Sequence, residues 1–457
     1  MFELTVNGRP AQVSAAPGET LLDCLRAQGL TGAKEGCAEG ECGACAIVVR
    51  EPDGAGSAYR AINSCLMLAP MAAGREVWTV EGLARNGVPS AVQHAMAASG
   101  ASQCGYCTPG FVMSLWAEYY RTDRHGPCDV HALTGNLCRC TGYRPIAEAA
   151  RSLGAPADDD PFRVALKTAP PSLTRVESAT FSRPTSIAGC LALLAAHPEA
   201  TLVAGGTDVS VESNLKGRRW PHLVSLDAID ELRTFDVDAT AVRIGAALSL
   251  AELGRRWTSA PAVIHEWLDR FASPLIRNRA TLGGNLATAS PIGDAAPLLL
   301  ALDARLEIAS PHVASGRRIV PLAEFFTGYR ATSLQHDELI AAVVVPLPVP
   351  ASLRFYKVAK RRLDDISTVA AAFAIDEVDG RVSTARFAYG GVAATPVRVA
   401  TAEAAAFGRP WDGEAVVRVQ QALAGALQPL SDHRGSAEYR RQVSCDLIEQ
   451  FATECRP

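Results

Sequence analysis

The cysteines of this chain are concentrated at its amino-terminal end. Thirteen cysteines occur among 457 residues, and ten of them lie within the first 140. In a reducing compartment such thiols rarely pair as disulfides, so metal binding or catalysis is the expectation for a dense group of them. The first third of the chain therefore performs a different task from the rest, and the cysteine spacings should show which.

Composition and charge narrow the class of protein. The chain is 48% hydrophobic and 20% charged with a net charge of −4, so its composition is globular and it has no basic excess for nucleic acid. Its longest apolar runs, such as Leu339–Val345, are far shorter than the ~20 residues of a membrane helix. The first residues lack the charged leader and apolar stretch of a secretory signal. We therefore expect a cytoplasmic protein of roughly two to four domains.

Patterning along the chain predicts an α+β protein of several domains. The segments are a β-rich domain at 1–80, a helical domain at 81–153, a linker at 154–178, an α+β domain at 179–346 and a last α+β domain at 347–457. In the first segment, Thr20 and Asp23 have capping-box spacing and predict a short helix, and strands are expected at 46–49 and 77–80. Acidic residues and prolines without periodicity indicate the linker.

The helical segment is predicted from apolar residues at helical spacing. Thr108 followed by a proline is typical of a helix start, and an apolar stripe that ends at Tyr119 supplies the buried face. Further helices are expected at 129–133 and 146–153. A small bundle is the simplest packing for these helices.

The first group of cysteines has the spacing C-x4-C-x2-C followed by one distant cysteine. Its members are Cys37, Cys42, Cys45 and Cys65. This is the plant-type ligand spacing for a 2Fe–2S cluster, in which four thiolates must wrap two irons closely. Three glycines within the loop would allow unusual backbone angles and let N–H groups point at the sulfurs. A structural zinc site is the alternative, but zinc ligands usually come as C-x2–4-C pairs.

The second group of cysteines is less specific by spacing alone. Its members are Cys104, Cys107, Cys138 and Cys140. They form C-x2-C and C-x-C, a combination that zinc or an iron–sulfur cluster could use. Cys107 precedes the predicted helix start and Cys140 precedes a second candidate cap, Thr141, so both thiolates are expected at helix amino termini, where the macrodipole favours negative charge. A second cluster beside the first would also conduct electrons, which zinc would not.

Three stretches carry a family resemblance. EGCAEGECGAC at 35–45, QCGYCTPG at 103–110 and NLCRCTGYRPI at 136–146 resemble the iron–sulfur region of the xanthine dehydrogenase and aldehyde oxidase family. The resemblance implies that both groups of four cysteines hold 2Fe–2S clusters, one in a plant-ferredoxin-like β-grasp domain and one in a helical bundle. It also implies that Gln103 contacts a molybdopterin, although from the residues alone Gln103 would be a polar loop residue.

Two glycine-containing elements in the middle of the chain suggest a nucleotide site. The first is LVAGGTDV at 202–209, an apolar strand that runs into a double glycine whose bare backbone could approach a pyrophosphate. The second is SPLIRNRATLGGNLATASPIGD at 273–294. Neither is a GxGxxG fingerprint or a Walker loop. Taken alone, a double glycine after a strand is more often a turn.

Together these elements resemble the flavin domain of the same family, a fold shared with vanillyl-alcohol-oxidase-type flavoproteins. The resemblance implies FAD as a cofactor. The residues that it places at the FAD site are Leu202, Val203, Ala204, Gly205, Gly206, Thr207, Asp208, Val209, Phe271, Thr281, Gly284, Asn285, Thr288, Asp294 and Lys357. Arg361 and Asp364, and more weakly Tyr329, match positions near the nicotinamide side. The charged stretch around Lys357 would otherwise be taken as a solvated face.

The family's molybdenum-binding region has no counterpart in these residues. The resemblance therefore implies a split enzyme in which this chain is the iron–sulfur and flavin subunit and a partner chain carries molybdopterin, in an α2β2 heterotetramer. Electrons from hypoxanthine or xanthine would pass from the partner through both clusters to FAD and then to NAD⁺. No catalytic acid or base is expected in this chain, since the cofactors supply the chemistry.

Other functions stay open at this point. The chain could be the redox subunit of a molybdenum hydroxylase for an aldehyde or another N-heterocycle, a stand-alone iron–sulfur flavoprotein reductase, or a binding module with structural zinc. Oxygen rather than NAD⁺ as the final acceptor also stays open. Metal analysis separates the zinc module from the others, because two 2Fe–2S clusters require about four irons per chain.

Overall fold

The structure is a computed structural model that describes residues 1–455. Its strands, in chain order, are β1 (Phe2–Val6), β2 (Arg9–Val13), β3 (Ala46–Asp53), β4 (Gly56–Asn63), β5 (Glu76–Trp78), β6 (Val176–Glu177), β7 (Phe181–Arg183), β8 (Thr201–Val203), β9 (Leu223–Ser225), β10 (Phe235–Val237), β11 (Ala241–Gly245), β12 (Arg305–Ala309), β13 (Arg317–Pro321), β14 (Phe326–Gly328), β15 (Ala331–Thr332), β16 (Leu339–Pro346), β17 (Ser352–Val358), β18 (Val369–Val378), β19 (Arg381–Gly390) and β20 (Val397–Arg398). Its α-helices are α1 (Leu21–Ala27), α2 (Ala91–Ala98), α3 (Thr108–Tyr119), α4 (Arg144–Ser152), α5 (Pro161–Ala165), α6 (Ile187–Ala196), α7 (Val209–Lys216), α8 (Leu250–Arg256), α9 (Ala262–Arg270), α10 (Pro274–Arg277), α11 (Leu282–Ala287), α12 (Ala295–Ala301), α13 (Ala400–Ala406), α14 (Gly413–Ala426) and α15 (Ala437–Glu454). None of the helices within residues 1–455 is long and apolar enough to cross a membrane.

The first of two compact units comprises Met1–Thr185, Glu199–Ala228 and Ala272–Ala280. Its amino-terminal sheet has the order β2-β1-β5-β3-β4, in which β1 and β5 are parallel and the other neighbours are antiparallel. Helix α1 buries its leucines in the core of this sheet. A mixed sheet with one packed helix is the ferredoxin-like fold that the sequence predicted.

Two local predictions for this sheet have different outcomes. The capping box is present, since Thr20 Oγ1 accepts from Asp23 N at 3.3 Å and the Asp23 carboxylate accepts from Thr20 N at 2.9 Å. The strand predicted at 77–80 is wrong at its end, because β5 stops at Trp78. The next amide, Thr79 N, donates to the side chain of Asn7 at 2.8 Å and leaves the sheet.

Helices α2, α3 and α4 pack around a common apolar core in the same unit. Trp116 of α3 is fully buried, and its ring centroid lies 4.4 Å from that of Tyr59 on β4. The helix predicted at 129–133 is only a short 3-10 turn, Val130–Leu133. The predicted linker is not irregular throughout, because α5 forms within it and buries Phe162 in this core.

Two predicted helix caps are wrong. The residue that precedes α3 is Cys107, and the hydroxyl of Thr108 donates to Ser102 Oγ at 2.8 Å instead of capping the helix. Helix α4 follows Tyr143, whose φ is +67°, so Thr141 lies in the preceding loop. Of the two cysteines expected at helix amino termini, Cys107 lies there and Cys140 does not. In both cases a neighbouring side chain, Ser102 or Cys138, bonds to the hydroxyl that was expected to cap a helix.

The rest of the first unit contains a four-stranded sheet of order β6-β7-β9-β8, with β7 and β8 parallel to β9. Helix α7 follows β8 along the chain, and α10 belongs to the segment Ala272–Ala280. Short parallel strands connected by helices place the loops after the strands at one edge of the sheet, where ligands commonly bind. This arrangement brings the 202–209 element to such an edge.

The second unit comprises Ser186–Pro198, Ile229–Phe271 and the chain from Thr281 onward. One antiparallel sheet has the order β10-β11-β16-β12-β13, and its central strand β16 is the longest apolar run noted in the sequence. A second antiparallel sheet, β17-β18-β19-β20, packs its core against α13, α14 and α15. The α+β multidomain class predicted from the sequence is therefore confirmed.

Candidate functional site

The structure brings the first group of cysteines together as two pairs of sulfurs. Cys45 Sγ lies 3.3 Å from Cys65 Sγ, and the thiol of Cys37 is hydrogen-bonded to that of Cys42. The loop that carries the first three cysteines precedes β3, and the fourth follows β4. Because β3 and β4 are antiparallel neighbours, the start of β3 and the end of β4 lie side by side. The first three cysteines and the fourth therefore meet at one end of this strand pair.

Hydrogen bonds to sulfur favour thiolates at this site. The hydrogen bond from Cys42 Sγ, outweighing burial, lowers the pKa of the Cys37 thiol to about 5, and backbone N–H groups nearby add to the effect. One of these is Cys42 N, which donates to Cys37 Sγ at 3.4 Å. The pKa of Cys42 is raised for the converse reason, since its proton is held between two sulfurs.

The second pair of this group, Cys45 and Cys65, likewise has one thiol with a lowered pKa and one with a raised pKa. The hydrogen bond between Cys45 and Cys65 lowers the pKa of Cys45 and raises that of Cys65. Four thiols this close can all be thiolates only if cations lie between them. Sulfurs grouped in twos fit a two-iron cluster, whereas one zinc ion would draw four ligands around a single point. The residues present therefore fit a 2Fe–2S cluster.

The second group of cysteines also forms two pairs. Cys104 is hydrogen-bonded to Cys140, and Cys107 to Cys138. The sulfur of Cys138 accepts from Thr141 N at 3.4 Å and lies 2.9 Å from Thr141 Oγ1, so the residue expected to cap a helix contacts a cysteine sulfur instead. Cys104 and Cys140 are exposed, whereas Cys138 is buried. This site therefore has one side open to the surface.

A direct contact joins the two cysteine loops. Leu137 N donates to Cys42 O at 3.0 Å, and Asn136 Nδ2 donates to Gly43 O at 3.1 Å. Packing here is close, because a Cβ added at Gly43, whose φ is +64°, would lie 2.3 Å from Gly135 O. Sequence reasoning missed Asn136, since nothing in its neighbourhood shows which carbonyl its amide reaches. The two ligand loops form one packed structure.

Alanine at Gly110 of α3 is expected to destabilise the chain. A Cβ there would lie 2.2 Å from Gly43 O, so the helix or the first cysteine loop must move, at a cost of about 1–3 kcal/mol. At Gly425 of α14 an added Cβ meets nothing within 4 Å, and alanine should stabilise by up to about 1 kcal/mol. Thermal unfolding of both variants measures the two shifts. A Gly110→Ala chain as stable as the parent would contradict the packing of the two loops.

The 202–209 element forms the end of β8, a loop and the first residue of α7. A Cβ added at Gly205 would lie 2.0 Å from Arg279 O, and Gly206 has a φ of +82°. Arg279 Nε also donates to Gly205 O at 3.3 Å. The loop is therefore a narrow backbone cradle that requires glycine, and its bare backbone could approach phosphate oxygens closely.

A buried ionic group lies behind this cradle. Arg75 pairs with Asp227 at 2.6 Å and with Glu51 at 3.0 Å. Arg279 lies 3.9 Å from Asp227 and 3.8 Å from Glu51. Burial alone would raise the pKa of Asp227, but Arg75, Arg279 and Arg183 outweigh it and hold that pKa below its usual value. Three guanidinium groups against two carboxylates leave a net positive charge, which fits a diphosphate at the loop.

Four residues that the resemblance places at the FAD site lie together in the second unit, on and beside α11. Thr281 Oγ1 caps the helix by accepting from Gly284 N at 3.0 Å, and the Thr288 hydroxyl donates to Gly284 O at 3.0 Å. Asn285 Oδ1 is buried without a hydrogen-bond partner, which leaves an acceptor for a bound group. These residues fit a polar ligand such as a flavin nucleotide.

Lys357 and Asp294 form a buried ion pair in the same unit. Lys357 Nζ lies 2.6 Å from Asp294 Oδ2, and the two side chains are only 4% and 11% exposed. Ser367 Oγ donates to the other carboxylate oxygen at 2.5 Å. Lys357 also donates to the carbonyl of Arg270, the residue before Phe271, at 3.0 Å, and Phe271 is buried. The ammonium of Lys357 is thus held by the Asp294 carboxylate and by the backbone next to Phe271.

The remaining sequence-predicted residues lie near the surface. Gln103 is exposed beside Cys104, and Tyr329 is 66% exposed. Arg361 Nη2 donates to Asp364 O at 2.6 Å within one exposed loop. The structure gives none of these a buried position of the kind found around Lys357.

Comparison with known proteins extends these observations. The sequence matches four family models: a 2Fe-2S iron-sulfur cluster binding domain at 4–70, a 2Fe-2S binding domain at 79–151, an FAD binding domain in molybdopterin dehydrogenase at 176–348 and a CO dehydrogenase flavoprotein C-terminal domain at 354–455. The chain therefore carries iron–sulfur and FAD-binding domains.

Relatives and solved structures of related sequence are also found. A xanthine dehydrogenase of Emericella nidulans is 33% identical over 515 residues, which cover 96% of this chain and 37% of that protein. A chain of reconstituted CO dehydrogenase from Oligotropha carboxidovorans is 30% identical with a TM-score of 0.56, covering 61% of this chain and 97% of that one. Quinoline 2-oxidoreductase from Pseudomonas putida 86 is 25% identical with a TM-score of 0.55, over 62% of this chain and 98% of the matched one.

The present chain spans just over a third of the length of the curated relatives that it matches. Its four domain matches follow one another along the sequence in the same order as the cysteine groups, the glycine cradle and the carboxyl-terminal sheet. Taken with the paired sulfurs, these similarities show that the chain belongs to the xanthine dehydrogenase and aldehyde oxidase family.

Proposed function

We propose that the chain is the electron-transfer subunit of a xanthine dehydrogenase and that a partner polypeptide carries the molybdenum centre, in an α2β2 heterotetramer. The cluster ligands would be Cys37, Cys42, Cys45 and Cys65 at the first site and Cys104, Cys107, Cys138 and Cys140 at the second. When bound, the clusters would supply one-electron carriers and FAD a two-electron carrier able to reduce NAD⁺. Hypoxanthine or xanthine would be oxidised on the partner.

The observation that carries this proposal is the direct contact between the two cysteine loops. The hydrogen bond from Leu137 N to Cys42 O and the bond from Asn136 to Gly43 O hold two ligand sets at a fixed separation. Fixed, close placement of two sites is what electron transfer requires and what a pair of structural metal sites does not. In the proposal, the exposed side of the second site, with Gln103 beside it, faces the partner's molybdopterin.

Two groups of residues in this chain would bind FAD: the glycine cradle and a set of polar side chains. The cradle at Gly205 and Gly206, with the positive charge behind it, would hold the diphosphate. The family resemblance also assigns Asn285, Asp294 and Lys357 of the second unit to FAD binding, and there the orphaned acceptor of Asn285 and the ion pair of Asp294 with Lys357 supply the polar groups. The substrate proposal draws on the xanthine dehydrogenases among the relatives, and the NAD⁺ proposal on the family resemblance.

Purification of the native complex tests this function. We expect about four irons and about one FAD per chain, no zinc, and a co-purifying molybdenum protein. Xanthine should then reduce NAD⁺: a purine C–H bond is replaced by a C–O bond to an oxygen from water, two electrons and one proton reach NAD⁺ as a hydride, and one proton is released to solvent. Activity with quinoline, an aldehyde or carbon monoxide but not xanthine would contradict the purine proposal. Reduction of oxygen but not NAD⁺ would contradict the acceptor, and zinc in place of iron would overturn the whole proposal.

A further inference from the structure

Helix α7 connects the glycine cradle to the first cysteine site within one compact unit. It begins at Val209, directly after the cradle, and runs to Lys216. Ser210 and Asn214 are four residues apart, so they share one face of the helix. Both are directed toward the turn that carries Cys65, and neither has a sequence pattern that suggests a role.

Three side-chain hydrogen bonds fix this contact. Ser210 Oγ donates to Leu66 O at 3.0 Å. Asn214 Nδ2 donates to Cys65 O at 2.9 Å and to Ala38 O at 2.8 Å. Because both partners of the amide are carbonyl oxygens, its NH₂ end must face them. One side chain therefore bridges the chain beside Cys37 and the chain at Cys65.

We propose that Asn214 is a positioning residue of the first iron–sulfur site, one that fixes the separation of its two ligand segments and influences its reduction potential. The inference rests on the proposed iron–sulfur role. Reduction adds one negative charge among the sulfurs, and the electropositive NH₂ end of Asn214 is bonded to the backbone carbonyl of Cys65, the residue that carries one of these sulfurs. A charge placed at this position should therefore shift the ease of reduction at the first site more than at the second.

The surroundings of Asn214 allow this to be tested by substitution. A cavity of about 350 Å³ lies beside it, lined by Cys65, Glu19, Glu35 and Arg219 among others. A longer side chain therefore has room at position 214. The next residue, Leu215, is 53% exposed and provides a position where the same charges can be introduced on the outer face.

The experiment uses the full chain with its iron and flavin, in the variants Asn214→Asp, Asn214→Lys, Leu215→Asp and Leu215→Lys. EPR during a redox titration gives the ratio of reduced first site to reduced second site at a fixed solution potential, the first-site signal being the one that Cys45→Ser removes. We expect Asn214→Asp to lower this ratio, and Asn214→Lys to raise it, by at least about tenfold. The Leu215 variants should change it by less than about threefold.

The outcomes separate the inference from the function on which it rests. Two normal EPR signals with an unchanged ratio in both Asn214 variants would overturn the positioning role and leave the proposed function standing. Selective loss of the first signal in Asn214→Asp, with the second retained, would support the role, and Asn214→Lys, which keeps a donor, then carries the potential measurement. Equal shifts in the Asn214 and Leu215 variants would overturn it. Absence of both signals in the parent chain would contradict the proposed function itself.

Discussion

Replacement of Cys45 by serine is expected to remove the first cluster. The chain should then hold about two irons, where the parent with two 2Fe–2S clusters holds about four. Cys45 is 1% exposed and its sulfur lies 3.3 Å from that of Cys65, so the substitution removes one of the two sulfurs of this pair. A serine hydroxyl is a harder ligand that stays protonated and binds such iron poorly. Iron analysis and the EPR spectrum of the dithionite-reduced chain measure the loss, and the second signal should persist.

Cys24 provides the matched control for this experiment. It is a buried cysteine of the same domain, 3% exposed in α1, and burial raises the pKa of its thiol to about 12. Cys24→Ser should therefore keep all the iron and both EPR signals. Full iron in Cys45→Ser would contradict the ligand assignment, and so would an equal loss of iron in Cys24→Ser.

The parts of the site that the sequence could predict are those set by short-range geometry. A cluster fixes how far apart its thiolates can be along a wrapped loop, so the spacing of Cys37, Cys42 and Cys45 is informative without a structure. The capping box of Thr20 and Asp23 is local for the same reason. In such cases the partner of each residue lies within a few positions of it.

The contacts that hold the site together could not be predicted, because their partners are remote in sequence. Asn214 lies 176 residues from Ala38 and 149 from Cys65, and Arg279 lies 74 residues from Gly205. An amide or guanidinium in a sequence does not show which carbonyl the fold will bring to it. The wrong caps have a different cause, since the two hydroxyls bond to side chains only a few residues away, Ser102 and Cys138, and not to a helix amide.

The sequence predicted which segments are β-rich and which are helical better than it predicted the residues at which individual strands and helices end. Strands predicted at 46–49 and 77–80 correspond to β3 and β5, and the helices predicted after Thr108 and at 146–153 correspond to α3 and α4. Strand β5 ends before the predicted residue 80 because the Thr79 amide donates to the side chain of Asn7. Burial of Phe162 likewise explains why α5 formed in a stretch whose composition suggested only a linker.

Alanine at Gly205 is expected to weaken FAD binding at least about tenfold while leaving the iron content unchanged. The added Cβ would lie 2.0 Å from Arg279 O and 2.6 Å from its carbonyl carbon. Both are backbone atoms that cannot rotate away, so the cradle must open at a cost of about 1–3 kcal/mol. Each 1.4 kcal/mol lost from binding is about a tenfold change in affinity. Titration of the flavin-free chain with FAD measures this.

Gly154 is the matched control, because an added Cβ there meets nothing within 4 Å and its φ is ordinary. Gly154→Ala should bind FAD as the parent does. Iron content serves as the internal check on folding, since the cysteine loops lie in the same compact unit as the cradle. If Gly205→Ala keeps both its iron and its full FAD affinity, the diphosphate does not lie in this cradle. The positive charge of Arg75, Arg183 and Arg279 would then need another explanation.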